Sequence, residues 1–389
     1  MTVASAADVA DADEVAERDA FRASVRRFVE REITPFVDAW DEADGFPREL
    51  YAKAAAAGLL SLGYPEHLGG TPASMAWRLI ATDEVARAGS GGVLASLFSH
   101  SIGLPPIVAH GSDDLQRRVV PSVLAGEKIA ALAITEPGGG SDVARIACRA
   151  RREGDAWVID GEKTFITSGV RADWLTVAVR TGSPGAGGLS LMVVPGDVPG
   201  LVRTPLRKMG WWCSDTAHLS FSGCRVPLDH LVGAEDAGFA MVMQNFNAER
   251  LLMSAGACAF ATVCFDEALA WARERRTFGQ PLVEHQVVRH KLVDMKMRLF
   301  STRAWIDALV ARHDRGDTRG EWVAELCLLK NQATQTMQFC ADQAVQILGG
   351  AGFMRGTKSE RIYREVKVMM IGGGSEEIMK ELAARQLGL

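Results

Sequence analysis

Between about residues 128 and 232 the hydrophobic pattern of this chain changes its period, and that change limits the architectures open to it more than any single motif does. From "KIAALAITEP" to "AHLSFSGCRVP" the sequence runs in short apolar or alternating segments. "WVIDG", "TFITSG", "WLTVAVR" and "LSLMVVPG" are each bounded by Gly, Pro, Asp or Ser, the pattern of strands between turns. On the N-terminal side, "DAFRASVRRFVEREI" sets Phe21, Val25 and Phe28 on one helical face. Segments at about 48–58, 76–88, 92–109 and 113–125 continue that helical period. On the C-terminal side long helical periods cover about 236–273, 283–312 and 321–346, with a last helix beyond a glycine loop. Strands and helices in separate blocks disfavour a doubly wound nucleotide-binding fold. The expected class is α+β, with a β domain at 128–232 set between helical domains at 1–127 and 233–389.

The 389 residues are 48% hydrophobic and 23% charged, enough for a large core, and the formal charge is −5. Charges of both signs are mixed along the chain, without the sustained basic patch that nucleic acid or an anionic membrane requires. The most apolar stretch, "GGVLASLFSHSIGLPPIVAHG", is interrupted by His100, Pro105 and Pro106. It predicts a broken buried helix and no stable membrane insertion. The seven cysteines show no CxxC pair and no histidine at metal spacing, so buried free thiols are expected and no metal site. The acidic start "MTVASAADVADADEVAERD" has neither a basic nor an apolar leader segment, and a cytoplasmic location is the expectation.

Several stretches have residues suited to chemistry. In "AITEPGGGSD", Ala133 to Asp142, three glycines beside Thr135 and Ser141 allow close approach to a flat or anionic ligand, although a tight turn uses the same residues. "GEKTFITSG" places Phe165 and Thr167 two apart, on one face of a strand, where core packing is the commoner use. In "RERRTFGQPLVEHQ", Arg275 and Arg276 could pair with phosphates or simply end a helix. In "VMQNFNAERLLMSAGA", Val242, Phe246, Glu249 and Met253 fall on one helical stripe. A glutamate in an apolar stripe is either ion-paired in the bundle or desolvated, and desolvation raises a carboxyl pKa from about 4.3 toward the value a general base needs. The closing "MMIGGGSEEIMKEL" leaves open whether its glycines hold a ligand or only separate two helices.

Taken together, "ITEPGGGSD", "GEKTFITSG", "KMGWWCSDTAHLSFSGCRVP", "ARERRTFGQPLVEHQ", "QILGGAGFMRG" and "ERIYREVK" occur in one order and spacing. In that order they resemble the acyl-CoA dehydrogenase family, from about residue 17 to the end. The resemblance implies a helical N-terminal domain, a barrel- or sandwich-like β domain and a C-terminal four-helix domain. FAD is held between the last two, in a homotetramer or homodimer whose neighbouring subunit completes the site. By position, flavin contacts fall on Leu132, Ile134, Thr135, Ser141, Phe165, Ile166 and Thr167. Arg275, Thr277, Phe278 and Gln286, with Gln346, Gly349 and Gly350 of the neighbouring chain, match the residues that hold the rest of FAD. Ser375 and Glu377 match further cofactor contacts. Ser141, Asn247, Arg250 and Gly374 match contacts to acyl-CoA. Position 165 is often tryptophan in relatives, and Phe165 keeps the aromatic face without the indole N–H.

The implied reaction removes a proton from the α carbon of the thioester while the β hydrogen leaves as hydride to the flavin. Many relatives place the catalytic carboxylate where this chain has Gly373. A minority branch, with isovaleryl-CoA and long-chain acyl-CoA dehydrogenases as its examples, takes it from the motif matching "NAERLL", and there it falls on Glu249. Gly373 keeps a backbone N–H to offer the thioester oxygen, and Glu376 and Glu377 are the alternative bases. The implied electron acceptor is an electron-transfer flavoprotein and the implied setting fatty acid metabolism. Competing readings are an O₂-using oxidase or monooxygenase, a dehydrogenase of carrier-protein thioesters, and a non-catalytic thioester-binding protein.

Overall fold

The computed structural model describes the backbone from residue 6 and side chains from residue 14, each to the C-terminal Leu389. Among the described residues, eight helices form the N-terminal part: α1 (Ala6–Glu32), α2 (Val37–Glu42), α3 (Glu49–Ala56), α4 (Met75–Ala86), α5 (Gly91–Leu97), α6 (His100–Gly103), α7 (Pro105–His110) and α8 (Asp113–Leu124). The segment expected as one broken helix is thus three short ones. Ser90 starts α5 by accepting the Val93 N–H at 3.3 Å. Pro105, at the first position of α7, has no N–H to continue α6. His100 is buried in this bend, and burial pushes its pKa down to about 4, so it is neutral.

The middle of the chain forms one sheet from β1 (Ala130–Ala133), β2 (Arg149–Glu153), β3 (Ala156–Thr167), β4 (Trp174–Arg180), β5 (Leu189–Pro195), β6 (Leu201–Pro205), β7 (Thr216–Pro227) and β8 (Leu231–Val232). Its order is β6-β7-β3-β2-β4-β5-β8, with β1 added in parallel to β4. Alternation sorts its side chains: Leu175, Val177 and Val179 join the core shared with α1, α3 and α5, while Leu189, Leu191 and Val193 face the core shared with α7, α8 and α9.

One strand departs from simple alternation. The pairing of β3 with β7 slips between Lys163 and Ile166, and Phe165 adopts φ 60° there. The expected shared face for Phe165 and Thr167 is therefore interrupted by a bulge, which turns the Phe165 ring out to 70% exposure.

The C-terminal part contains α9 (Gly238–Glu274), a hairpin of β9 (Arg276–Thr277) and β10 (Gln280–Pro281), α10 (Gln286–Asp314), α11 (Glu321–Leu348), α12 (Gly350–Phe353), α13 (Lys358–Ile371) and α14 (Glu376–Leu387). Helix α9 has the length and apolarity of a membrane span, but about two thirds (67%) of its most apolar window is buried inside the bundle, as in a core helix. The parts are tied by buried ion pairs. Asp41 of α2 accepts from Arg361 and Arg364 of α13, both at 3.3 Å, and from the Cys213 N–H before β7 at 3.3 Å. All seven cysteines are buried free thiols.

Candidate active site

The two middle turns of the long helix α9 meet the loop between α13 and α14. The loop, Gly372 to Ser375, is possible only with glycine: Gly373 and Gly374 adopt φ 66° and 113° in succession. A Cβ on Gly373 would lie 2.8 Å from the sulfur of Met253, and one on Gly374 would lie 2.4 Å from the terminal carbon of Met379. The carbonyls of the turn are taken by two buried cations. Arg250 Nε donates to the Gly373 oxygen at 2.9 Å, and Lys330 Nζ of α11 donates to the oxygens of Met370 at 3.0 Å and Gly374 at 2.7 Å. Among the described residues no protein acceptor receives the N–H of Gly373 or Gly374. Arg250 Nη1 also donates to Asn247 at 3.3 Å, and its guanidinium stands 5.6 Å from the Phe246 ring.

Glu249 stands at the same level of α9. Its side chain is half-buried by area, yet its Oε2 is buried and has no hydrogen-bond partner. Burial pushes its pKa up to about 7, against the opposing pull of the Arg250 and Lys330 charges. The alternative carboxylates are differently placed. Glu376 Oε1 accepts from Gln335 at 2.7 Å and from Lys380 at 2.8 Å, so its charge is already matched. Glu377 is exposed, and its own N–H and the Ser375 hydroxyl hold its pKa down. Ser375 itself is the N-cap of α14.

A second cluster lies on the sheet. Leu132 and Ile134 are buried at the end of β1 and Ile166 at the end of β3, while Thr135 and Thr167 are half-buried and Ser141 is exposed. The two strand ends are held together. Thr164 N–H donates to Thr135 O at 2.8 Å, and the buried Lys163 donates to Ile134 O at 2.9 Å and Glu136 at 2.8 Å. Beside them stand the exposed Phe165 ring and the loop glycines Gly138 and Gly139, where an added Cβ would meet nothing within 4 Å. An apolar ring next to a bare backbone loop is a surface on which a flat aromatic group can lie.

The remaining expected residues are elsewhere on the chain. Arg275, Thr277 and Phe278 surround the β9–β10 hairpin and Gln286 opens α10. Phe278 and Gly279 form its two-residue turn with φ 49° and 82°, and Phe278 is 98% exposed. Gln346, Gly349 and Gly350 are exposed at the end of α11. No hydrogen bond among the described residues joins these two groups to each other or to the clusters above. Sequence reading passed over Lys330 and Lys163. The signal was present for Lys330, which shares with Leu326, Ala333, Met337 and Cys340 a buried helical stripe of the kind that drew attention to Glu249.

Three domain profiles match the chain: acyl-CoA dehydrogenase N-terminal domain over residues 15–127, middle domain over 131–224 and C-terminal domain over 236–388. The chain belongs to the acyl-CoA dehydrogenase family. The family consists of FAD-dependent oxidoreductases, and this chain is one of its enzymes. Long-chain specific acyl-CoA dehydrogenase of Rattus norvegicus mitochondria is 35% identical over 95% of this chain and 86% of its own length. A crystal structure of an acyl-CoA dehydrogenase from Mycobacterium smegmatis is 46% identical, with a TM-score of 0.94 over 96% of this chain and 98% of that one. A glutaryl-CoA dehydrogenase of the same organism, solved in complex with FADH₂, is 25% identical with a TM-score of 0.89 over 95% of this chain and 94% of that one.

Proposed function

We propose that this enzyme converts an acyl-CoA thioester to its trans-2-enoyl-CoA, with Glu249 as the base that removes the α proton. The observation that carries this reading is the buried, unpartnered Oε2 of Glu249, the one carboxylate of the site that no cation or amide has claimed.

The sheet cluster fits the flavin. Leu132, Ile134, Thr135, Ser141 and Phe165 to Thr167 would hold its ring system, and Arg275, Thr277, Phe278 and Gln286, with Gln346, Gly349 and Gly350 of a neighbouring copy, the remainder of FAD. Ser375 and Glu377 would add contacts from the glycine loop. Bound FAD supplies the acceptor for the β hydrogen and its two electrons. The protein must then make an unreactive α C–H bond acidic. Ser141, Asn247, Arg250 and Gly374 would position the thioester. The N–H groups of Gly373 and Gly374, without protein acceptors, are donors for the thioester oxygen, where negative charge develops as the α proton leaves. Glu249 receives that proton on Oε2. A pKa near 7 lets it be ionised before the step and neutral after it, without a large penalty either way.

Exposed Val293, Met297 and Phe300 form an apolar stripe on α10, which supports assembly with further copies as a homotetramer or homodimer. An electron-transfer flavoprotein is the acceptor we propose for the reduced enzyme. Anaerobic titration of the purified holoenzyme with acyl-CoA thioesters of graded length and branching tests the reading. One class should bleach the visible flavin band, and the reduced, product-bound enzyme should reoxidise slowly in air. Bleaching by no thioester contradicts the proposal, and rapid reoxidation by O₂ points to an oxidase or monooxygenase instead.

A further inference from the structure

The glycine turn is gripped from the bundle side by a charge that the reaction scheme above leaves unused. Lys330 has no exposed surface, and its three-donor ammonium spans the turn from the Met370 oxygen, at the end of α13, to the Gly374 oxygen, just before α14. Two amides would satisfy those carbonyls without burying a charge. A buried ammonium is used instead, and the groups facing it are few. Glu249 and Arg250 approach from α9, Glu376 from α14 and Cys327 from its own helix. Glu376 is already matched by Lys380 and Gln335, which leaves Glu249 as the carboxylate that feels Lys330 most. On the α9 side Arg250 holds the Gly373 oxygen. Because a trans peptide sets C=O and N–H on opposite sides, the N–H of Gly374 is turned away from Arg250. Arg250 thus sets the direction of the Gly374 amide, while Lys330 anchors the turn on either side of it.

We propose that Lys330 is a positioning residue for proton transfer: by bridging the Met370 and Gly374 carbonyls it holds the glycine turn, with its free amides, in place against α9 beside Glu249. This rests on the reading of Glu249 as the base. In the step concerned the α C–H bond breaks, the proton goes to Glu249 Oε2, and the electron pair moves into the thioester as an enolate. No oxidant is consumed.

The step can be isolated with a β-thia-octanoyl-CoA and a β-thia-tetradecanoyl-CoA, in which sulfur replaces the β carbon and no β hydride exists. Loss of the α proton beside flavin gives an electron-rich enolate and hence a long-wavelength charge-transfer band. In holoenzyme, the band should grow with pH and be abolished by Glu249→Gln. Lys330→Gln, which keeps N–H donors without charge, should raise the midpoint pH by about one unit or more and weaken the band about tenfold, with thioester affinity changed less than about threefold. Lys330→Arg, which keeps the charge but not the two-carbonyl geometry, should weaken the band with the midpoint unmoved. A wild-type band and midpoint in either variant overturns the inference. Should Lys330→Gln fail to retain FAD, the amplitude in Lys330→Arg decides alone. A wild type that binds both thioesters without a band contradicts Glu249 as the base, and the role of Lys330 with it.

Discussion

Glu249 shows how one side chain acquires its chemistry from what surrounds it. The carboxyl is raised to about 7 by burial, and its Oε2 has no partner. Since kcat/KM reports the free enzyme, its acid limb should fall with a midpoint near pH 7 as Glu249 is protonated. A limb near the ordinary carboxylate value would remove burial as the tuning force. Stability should move in the opposite sense. A carboxyl whose folded pKa is raised favours the folded state below its ordinary pKa, and that contribution is lost as pH rises through about 7. Glu249→Gln should therefore melt higher than wild type at pH above that value and close to it in acid, which calorimetry can check. The residue was legible in the sequence because a charged side chain in an apolar stripe is anomalous. The role we propose for it was not, since the same stripe allows an ion-paired glutamate; the matched charges of Glu376 and the free Oε2 are the observations that favour it.

At the scale of elements, the glycine loop and the bulge in β3 do the positioning. Gly373 combines a left-handed conformation with Met253 pressed against it, so Gly373→Ala should cost stability by about 1–2 kcal/mol for the backbone alone. Met253→Ala in the same chain should relieve the contact but not the backbone part, and thermal melts of the single and double variants separate the two. Equal melting of Gly373→Ala and wild type would show that the loop rearranges freely. The glycines announced a turn in the sequence, as glycine runs do. The cations that orient it come from α9 and α11, 124 and 44 residues before Gly374 in the chain, and no local pattern reports such a meeting. The bulge at Phe165 was equally hidden, because a register slip is a property of β3 and β7 together.

For the whole molecule, the block order of helices, strands and helices was visible in hydrophobic period alone, because each period reports one kind of element. How the blocks are joined was not. Asp41, on a short N-terminal helix, is buried with Arg361 of α13, and removing one partner of such a pair strands a buried charge. Asp41→Ala should lower stability by about 3–5 kcal/mol in denaturant melts. Asp38 also accepts from Arg361, and a change below about 1 kcal/mol would mean that it alone suffices. Assembly is tested at α10: Phe300→Asp should shift light-scattering mass to a smaller species and weaken FAD retention, if neighbouring copies complete the cofactor site. The central claim is that flavin reduction waits on Glu249, and rapid mixing of anaerobic holoenzyme with the thioester that bleaches wild type tests it most directly. Glu249→Gln should bind that thioester yet lose about 10²–10⁴-fold in the rate of bleaching. Bleaching at the wild-type rate would contradict the account.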